Sequence, residues 1–370
     1  MKAQAVICRE LNQPVVVETI EVAPPQAGEV MIKLAACGVC HSDLSATNGT
    51  IAFAPPLILG HEGAGVVVEV GPGVSDFAVG DHVLSSFVTM CGTCHYCTIG
   101  RPALCELGAR TLTTLPSGAL RTTDAQGQPL SVFSGCGVMA EYATLDTRSL
   151  IKIAGDAPLR SAALVGCGVM TGFCAATNTA RVAPGSVVVV FGAGGVGLSA
   201  IQGAAVAGAR MVVAVDIDDF KLGLAKTLGA THTVNSKGDE AIVKTLRKLT
   251  GGGADYAFEC VGSGELAATA YGVLRKGGQA VVVGVARPKD TTTLRTASLT
   301  FDEKSIGGSY FGSARPRVDA PRILGLYKAG KLKLDELITR TYPIAEAPQA
   351  FADLQAGRNA RGVIVFDDSL

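Results

Sequence analysis

The sequence predicts an α/β protein in two parts: a β-rich lobe over roughly the first 150 residues, then a doubly wound parallel sheet of about six strands. Three observations carry this prediction. The early text breaks into short apolar runs parted by glycine and proline turns, as in "GHEGAGVVVEVGPGVSDFAVGDHV" from Gly60 to Val83. From Val187 onward, β-branched runs alternate with stretches of helical apolar spacing. Between the first such run and the helix that follows lies a glycine-rich turn.

The elements follow in order. Val187 to Val190 reads as a buried strand, and the turn after it holds Gly192, Gly194 and Gly197 in the spacing G-x-G-x-x-G. A helix comes next, and then a second strand from Met211 to Val215 that ends at Asp216. Asp255 to Gly262 and Gly277 to Val285 continue as parallel strands, with helical text from Glu265 to Arg275. The stretch Val182 to Ala209 holds no charged residue and is long enough for a membrane span. Seven glycines, a proline and a β-branched start make it a strand, a turn and a helix instead.

Composition narrows the partners. At 370 residues the chain can bury the cores of two domains. With 48% hydrophobic and 17% charged residues and no low-complexity tract, it should be globular throughout. Lys plus Arg equals Asp plus Glu at 32 each, without a basic block, which argues against nucleic acid or an anionic membrane as partner. Met1 to Glu10 has no apolar core of a signal peptide, so a cytoplasmic protein is expected. Eleven cysteines in such a compartment point to metal binding more than to disulfides.

Two cysteine sets stand out. Cys91, Cys94, Cys97 and Cys105 follow C-x2-C-x2-C-x7-C, with Gly92 and Gly100 to turn the chain and Pro102 to stiffen its return. Four thiolates complete a tetrahedral zinc and leave no open position, which is a structural site. An iron–sulfur cluster accepts four thiolates too. The second set is dispersed: Cys40 in "CGVCHSD", His61 in "GHEGAG" and Cys167 in "VGCGVMTG". Two thiolates and one imidazole leave a fourth place for water or substrate, the form of catalytic zinc. Asp43 is a candidate acceptor fixing the tautomer of His61, and Glu62 adjoins the metal ligand. Cys37 with Cys40 also reads as a C-x-x-C redox pair.

The glycine turn, from Gly192 through Gly195 and Val196 to Gly197, is built for a pyrophosphate at a helix N-terminus. Asp216, about twenty residues on, accepts from a ribose 2′-hydroxyl and repels a 2′-phosphate, which favours NAD over NADP. S-adenosylmethionine enzymes share part of this layout but do not explain an open zinc site.

Taken together, "CHSD", "GHEGAGVVVEVGPGV", the four-cysteine lobe, "VGCGVMTG" and "GAGGVG…D" resemble the zinc-dependent medium-chain alcohol dehydrogenase family over essentially the whole chain. The resemblance implies a GroES-like catalytic domain from residues 1–168 and 310–370, and a Rossmann NAD-binding domain from residues 169–309. It implies two zinc ions per chain, and reversible oxidation of an alcohol to an aldehyde or ketone with hydride transfer to NAD. By position, Cys40, His61 and Cys167 bind the catalytic zinc with Asp43 and Glu62 behind them, and Ser42 takes the substrate proton. His41 faces the pyrophosphate, Lys221 the adenosine ribose, Arg361 the phosphates, and Thr171 packs beneath the nicotinamide. Ser45 departs from members with a histidine there, which leaves the relay from Ser42 without a terminal base. An S-hydroxymethyl thiol dehydrogenase and a non-catalytic dinucleotide-binding protein are the alternative readings. In the resemblance a polar segment as long as that between Cys105 and Ala140 accompanies dimers, and the apolar strand Ala280 to Val285 lies near the edge of the nucleotide sheet, which together imply a homodimer joined through the nucleotide domains or a tetramer of such dimers.

Overall fold

The computed structural model describes all 370 residues, in two compact units. The first comprises Met1–Gly168, Arg315–Gly325 and Ile338–Leu370, and the second Val169–Ala314 and Leu326–Leu337. The chain therefore returns to the second unit once more than the expected division at residues 309 and 310 has it. No single helix is long and apolar enough to cross a membrane.

The first unit is built on a five-stranded and a seven-stranded sheet. At the centre of the larger one, Glu29–Val39 pairs antiparallel with Gly63–Val70, with Tyr142–Asp146 and with the C-terminal strand Gly362–Val365. Glu29–Val39 is buried almost throughout because both its faces are covered. Val30, Ile32 and Leu34 join one core, and Met31 joins a second core with Ile7 and Ile20 of the smaller sheet. Burying a side chain of this size stabilises by ~1.5–3 kcal/mol. The register Gly362↔Val39 and Ile364↔Cys37 brings the C-terminal segment alongside the start of "CHSD". The polar segment after Cys105 is ordered. Gly118 and Gly127 turn it at φ +79° and +78°, and Arg121 forks onto the buried Glu29 carboxylate at 2.7 and 2.9 Å.

The second unit is the expected doubly wound sheet. Its order is His232–Asn235, Met211–Asp216, Val187–Phe191, Ala254–Glu259, Leu274–Val282 and Ser305–Gly308, all parallel. Val187 to Val190 are fully buried, as a central strand covered on both faces requires. The strand order reverses on either side of Val187–Phe191, and ligands bind such sheets at that point, off the carboxyl ends of the strands. One expectation is corrected. The apolar strand placed near the edge, Ala280 to Val285, ends at Val282 and is interior, because Ser305–Gly308 pairs outside it. "SIGG" has a single large apolar residue and two glycines, too weak a strand signal to read from sequence.

Candidate metal centres and dinucleotide site

The dispersed set comes together in the first unit. Glu29–Val39 ends beside Cys40, which caps the helix His41–Thr47, and the Cys40 N–H donates to Asp43 Oδ2 at 3.2 Å. Asp43 is fully buried, and its Oδ1 accepts from the Gly60 N–H at 2.9 Å while lying 3.3 Å from His61 Nδ1. That contact makes Nδ1 the donor and turns the Nε2 lone pair away from it. His61 is buried between Phe87 and Phe133, both edge-on to its ring, and its Nε2 has no hydrogen-bond partner. One ligating atom each from Cys40, His61, Glu62 and Cys167 lies within 4.8 Å of the others. An orphaned imidazole nitrogen facing two thiols is the donor set zinc takes. The protonation state of the Cys40 sulfur agrees with this. A hydrogen bond from Cys167 holds Cys40 well below the ordinary thiol range, and thiolate is the form that ligates. Burial opposes charge on His61, but Asp43 and the Cys40 sulfur push its pKa up to about 10, so without a metal the ring is protonated at neutral pH and zinc binding has to displace the Nε2 proton.

Glu62 is fully buried, with Oε1 accepting from the Gly168 N–H at 3.0 Å and Oε2 paired with Arg361 Nη2. Arg361 is held by its backbone, which exchanges hydrogen bonds with Thr339. Two glycines make room for the pair: a Cβ on Gly38 would fall 2.1 Å from Glu62 Oε2, and one on Gly168 would fall 3.0 Å from Arg361 Nη1. A buried ion pair costs desolvation on both sides, so it persists where every oxygen has a donor, as here.

The four-cysteine lobe also closes on itself. Gly92 and Gly100 take φ of +78° and +77°, the left-handed turns that ligand loops need. The Sγ–Sγ separations are 4.0 Å for Cys91–Cys97 and 3.9 Å for Cys94–Cys105, and none of the eleven cysteines is in a disulfide. Four sulfurs ~2.3 Å from a tetrahedral zinc stand ~3.8 Å apart, whereas a disulfide is ~2.05 Å. Backbone N–H groups reach in as well, from Cys91 to Cys105 Sγ and from Cys94 to Cys91 Sγ, each at 3.3 Å. Burial and the neighbouring sulfurs push Cys97 up to about 12, while the backbone donors around Cys91 outweigh its burial and bring it down to about 6. Four sulfurs this close cannot all ionise without a cation among them.

In the second unit the three glycines have three distinct duties. Gly192 turns at φ +91°, Gly194 caps the helix Gly195–Val206 with nothing within 4 Å of where a Cβ would stand, and a Cβ on Gly197 would fall 1.7 Å from the Gly192 carbonyl. The open space at Gly194, at a helix N-terminus, fits a pyrophosphate. Asp216 is fixed to this loop. Its Oδ2 accepts from the Ala193 N–H at 2.6 Å, and its Oδ1 accepts from Ile217 and Asp218 at 2.8 and 3.1 Å.

Known proteins share both units. Residues 26–155 match the model of the alcohol dehydrogenase GroES-like domain, and residues 195–327 match that of the zinc-binding dehydrogenases. The NDMA-dependent alcohol dehydrogenase of Amycolatopsis methanolica is 42% identical over 99% of both chains. The chain belongs to the zinc-dependent medium-chain alcohol dehydrogenase family. The S-(hydroxymethyl)glutathione dehydrogenase of Paracoccus denitrificans is 36% identical over 99% of this chain and 100% of its own. The crystal structure of an alcohol dehydrogenase zinc-binding domain protein from Burkholderia ambifaria superposes with a TM-score of 0.95, at 34% identity and 99% coverage of both chains.

Within this zinc-dependent alcohol dehydrogenase fold the remaining expected residues are placed as follows. Ser42 is half-buried, with its Oγ 3.7 Å from Cys40 Sγ, and His41 is exposed at the start of the same helix. Lys221 is half-buried on the helix Asp219–Thr227, and Thr171 is buried on Gly168–Cys174. Arg361, expected at the phosphates, points its Nη2 at Glu62. Phe87, Phe133, Gly38 and Thr339 were not expected. The signal for Gly38 and Gly168 was a glycine at Cys37-Gly38 and directly after Cys167, and the two phenylalanines carry none.

Proposed function

We propose that the first unit oxidises an alcohol to an aldehyde or ketone, reversibly, and that the second unit holds NAD as the hydride acceptor. The observation that carries this reading is the buried Cys40, His61 and Cys167 set with the unpartnered Nε2. When bound there, zinc supplies the Lewis acidity that makes an alcohol proton easy to remove, and NAD supplies the acceptor for the carbon's hydride. Asp43 holds His61 as a Nε2 ligand, and Glu62 is kept to Arg361 and the Gly168 amide. Ser42 takes the alcohol proton and passes it outward through its own hydroxyl. The lobe of Cys91, Cys94, Cys97 and Cys105 holds a second zinc that shapes the fold. Alcohol and aldehyde panels test this, read by NADH absorbance with and without low-molecular-weight thiols. Simple alcohols should turn over without thiol. Turnover only of a thiol–aldehyde adduct would favour the second reading, to which the Paracoccus relative's name lends support. NDMA is run as an alternative acceptor, because the Amycolatopsis relative's name states that dependence.

Cofactor choice follows from Asp216. NAD should be preferred over NADP, and Asp216→Gly should shrink the kcat/KM ratio by at least about tenfold. That needs only ~1.4 kcal/mol, against ~4 kcal/mol for unit charges 4 Å apart near a protein surface. Asp216→Asn keeps an acceptor for the Ala193 amide and separates the charge from the loop's support. Equal use of NADP by the parent protein sinks the assignment.

Assembly is proposed as a homodimer joined through the second unit's outer strand, with a tetramer of such dimers as the further step. Supporting this, Ser305–Gly308 is an unpaired edge flanked in the chain by exposed aromatic residues, Phe301 at 82% and Tyr310 at 54%. Light scattering at dilute concentration should give twice the chain mass, and a fully active monomer refutes the pairing.

A further inference from the structure

Three consecutive residues of the second unit, Phe311, Gly312 and Ser313, take positive φ of 52°, 66° and 52°. Residues with side chains occupy this region only where their surroundings hold them there. What holds them is visible. Thr179 Oγ1 lies 2.8 Å from Ser309 Oγ and donates to Ser313 Oγ at 2.9 Å, so one hydroxyl ties both ends of the turn. Phe311 is buried beneath it.

The turn presses on a particular helix. A Cβ on Gly312 would fall 2.6 Å from the Thr171 carbonyl, 2.7 Å from Cys174 Cβ and 2.9 Å from the Ala175 N. On another contact of this helix, a Cβ on Gly172 would fall 2.0 Å from the carbonyl of Val196, in the dinucleotide motif. Gly168–Cys174 is thus seated against the left-handed turn and against the glycine motif, both at backbone distance. It then continues as a single π turn, Ala175–Thr179, closed by the Ala180 N–H on the Ala175 carbonyl at 2.9 Å. Such π turns recur at functional sites. Here the π turn brings Thr179 to the two serines.

We propose that Thr179 is a positioning residue for the nicotinamide end of the cofactor: through Ser309 and Ser313 it holds the Phe311–Ser313 turn on Thr171, the residue that the family resemblance sets beneath the ring. This deepens the NAD reading and rests on it. The adenine, ribose and pyrophosphate end depends on Gly192, Gly194, Gly197 and Asp216, none of which touches the hydroxyl clamp. The two ends of the cofactor should therefore respond differently to one substitution.

The test is calorimetric titration of the zinc-loaded protein with NAD and with ADP-ribose, which lacks the nicotinamide. Thr179→Val keeps the shape and removes both hydroxyl bonds. It should weaken NAD about tenfold, the scale of two ordinary hydrogen bonds, and leave ADP-ribose within about twofold of the parent. Thr179→Ser should restore NAD binding, and the alcohol KM at saturating NAD should stay unchanged. NAD and ADP-ribose weakening equally would mean a general loosening and overturns the proposal, as does NAD binding unaltered in Thr179→Val. A parent protein that binds ADP-ribose but not NAD, or neither, removes the cofactor reading itself. Should Thr179→Val fail to fold, Ser313→Ala removes one bond and must show the same split at a smaller size.

Discussion

Cys167→Ser should leave the chain folded and lower kcat by about a thousandfold or more, the several kcal/mol that a catalytic zinc contributes. A serine hydroxyl is not ionised at neutral pH and is a poor zinc ligand, so the set falls to Cys40 and His61. Cys167 also donates the hydrogen bond that holds Cys40 well below the ordinary thiol range. The serine hydroxyl still offers Cys40 a donor, so the change acts by removing one ligand. The fold should survive because Cys167 lies at the end of a short buried turn whose packing comes from Leu164 and Val165, and serine occupies nearly the same volume. The measurements are metal content, melting temperature and turnover. One zinc should be lost while the melting temperature stays near the parent's. Full activity in this variant would mean that the assembled set of Cys40, His61 and Cys167 is not where the chemistry occurs.

Cys97→Ser should do the opposite, costing stability before it costs chemistry. The lobe from Cys91 to Cys105 has little core of its own: Cys91, Cys94 and Cys97 are half-buried, and only Ala103 and Cys105 are fully enclosed. Such a segment depends on its metal. In small zinc peptides the ion supplies ~10–16 kcal/mol of folding free energy, as much as the whole stability of a typical domain. Losing one of four thiolates should remove that zinc, lower the melting temperature by many degrees and expose the lobe to proteolysis. Limited digestion with mass spectrometry locates the cuts, which should fall between Cys91 and Cys105 before any appear in the second unit. A Cys97→Ser protein with the parent's melting curve and zinc content would make the four-sulfur cage an accident of packing.

How far each part was legible in the sequence depends on how local its physics is. The four-cysteine cage closes within fifteen residues, and its turns need glycines at Gly92 and Gly100, so spacing and residue type suffice. The dinucleotide loop is likewise one strand, one turn and one helix, and each glycine has a reason that its position announces. The central strands were readable because a strand buried on both faces must be apolar throughout, as Val187 to Val190 are. The edge strand was not. Ser305–Gly308 forms because Leu274–Val282 offers it a free ladder, and nothing in "SIGG" demands a strand.

The open metal site lies at the other extreme. Its ligands come from residues 40, 61 and 167, and motif resemblance joined them where periodicity could not. Tertiary structure alone decided their surroundings. Arg361 reaches Glu62 across 299 residues because Gly362–Val365 pairs in register with Val39 to Ala36. Phe87 and Phe133 close on His61 from segments far apart in the chain. The clamp of Thr179, Ser309 and Ser313 joins residues about 130 apart through hydroxyl groups that could as well have faced solvent. By itself the sequence determined which chemical groups this protein owns and which short turns it must make. Only the tertiary structure decided which of those groups meet, because pairing register and side-chain burial are set by the whole fold and leave no mark on the neighbours of any one residue.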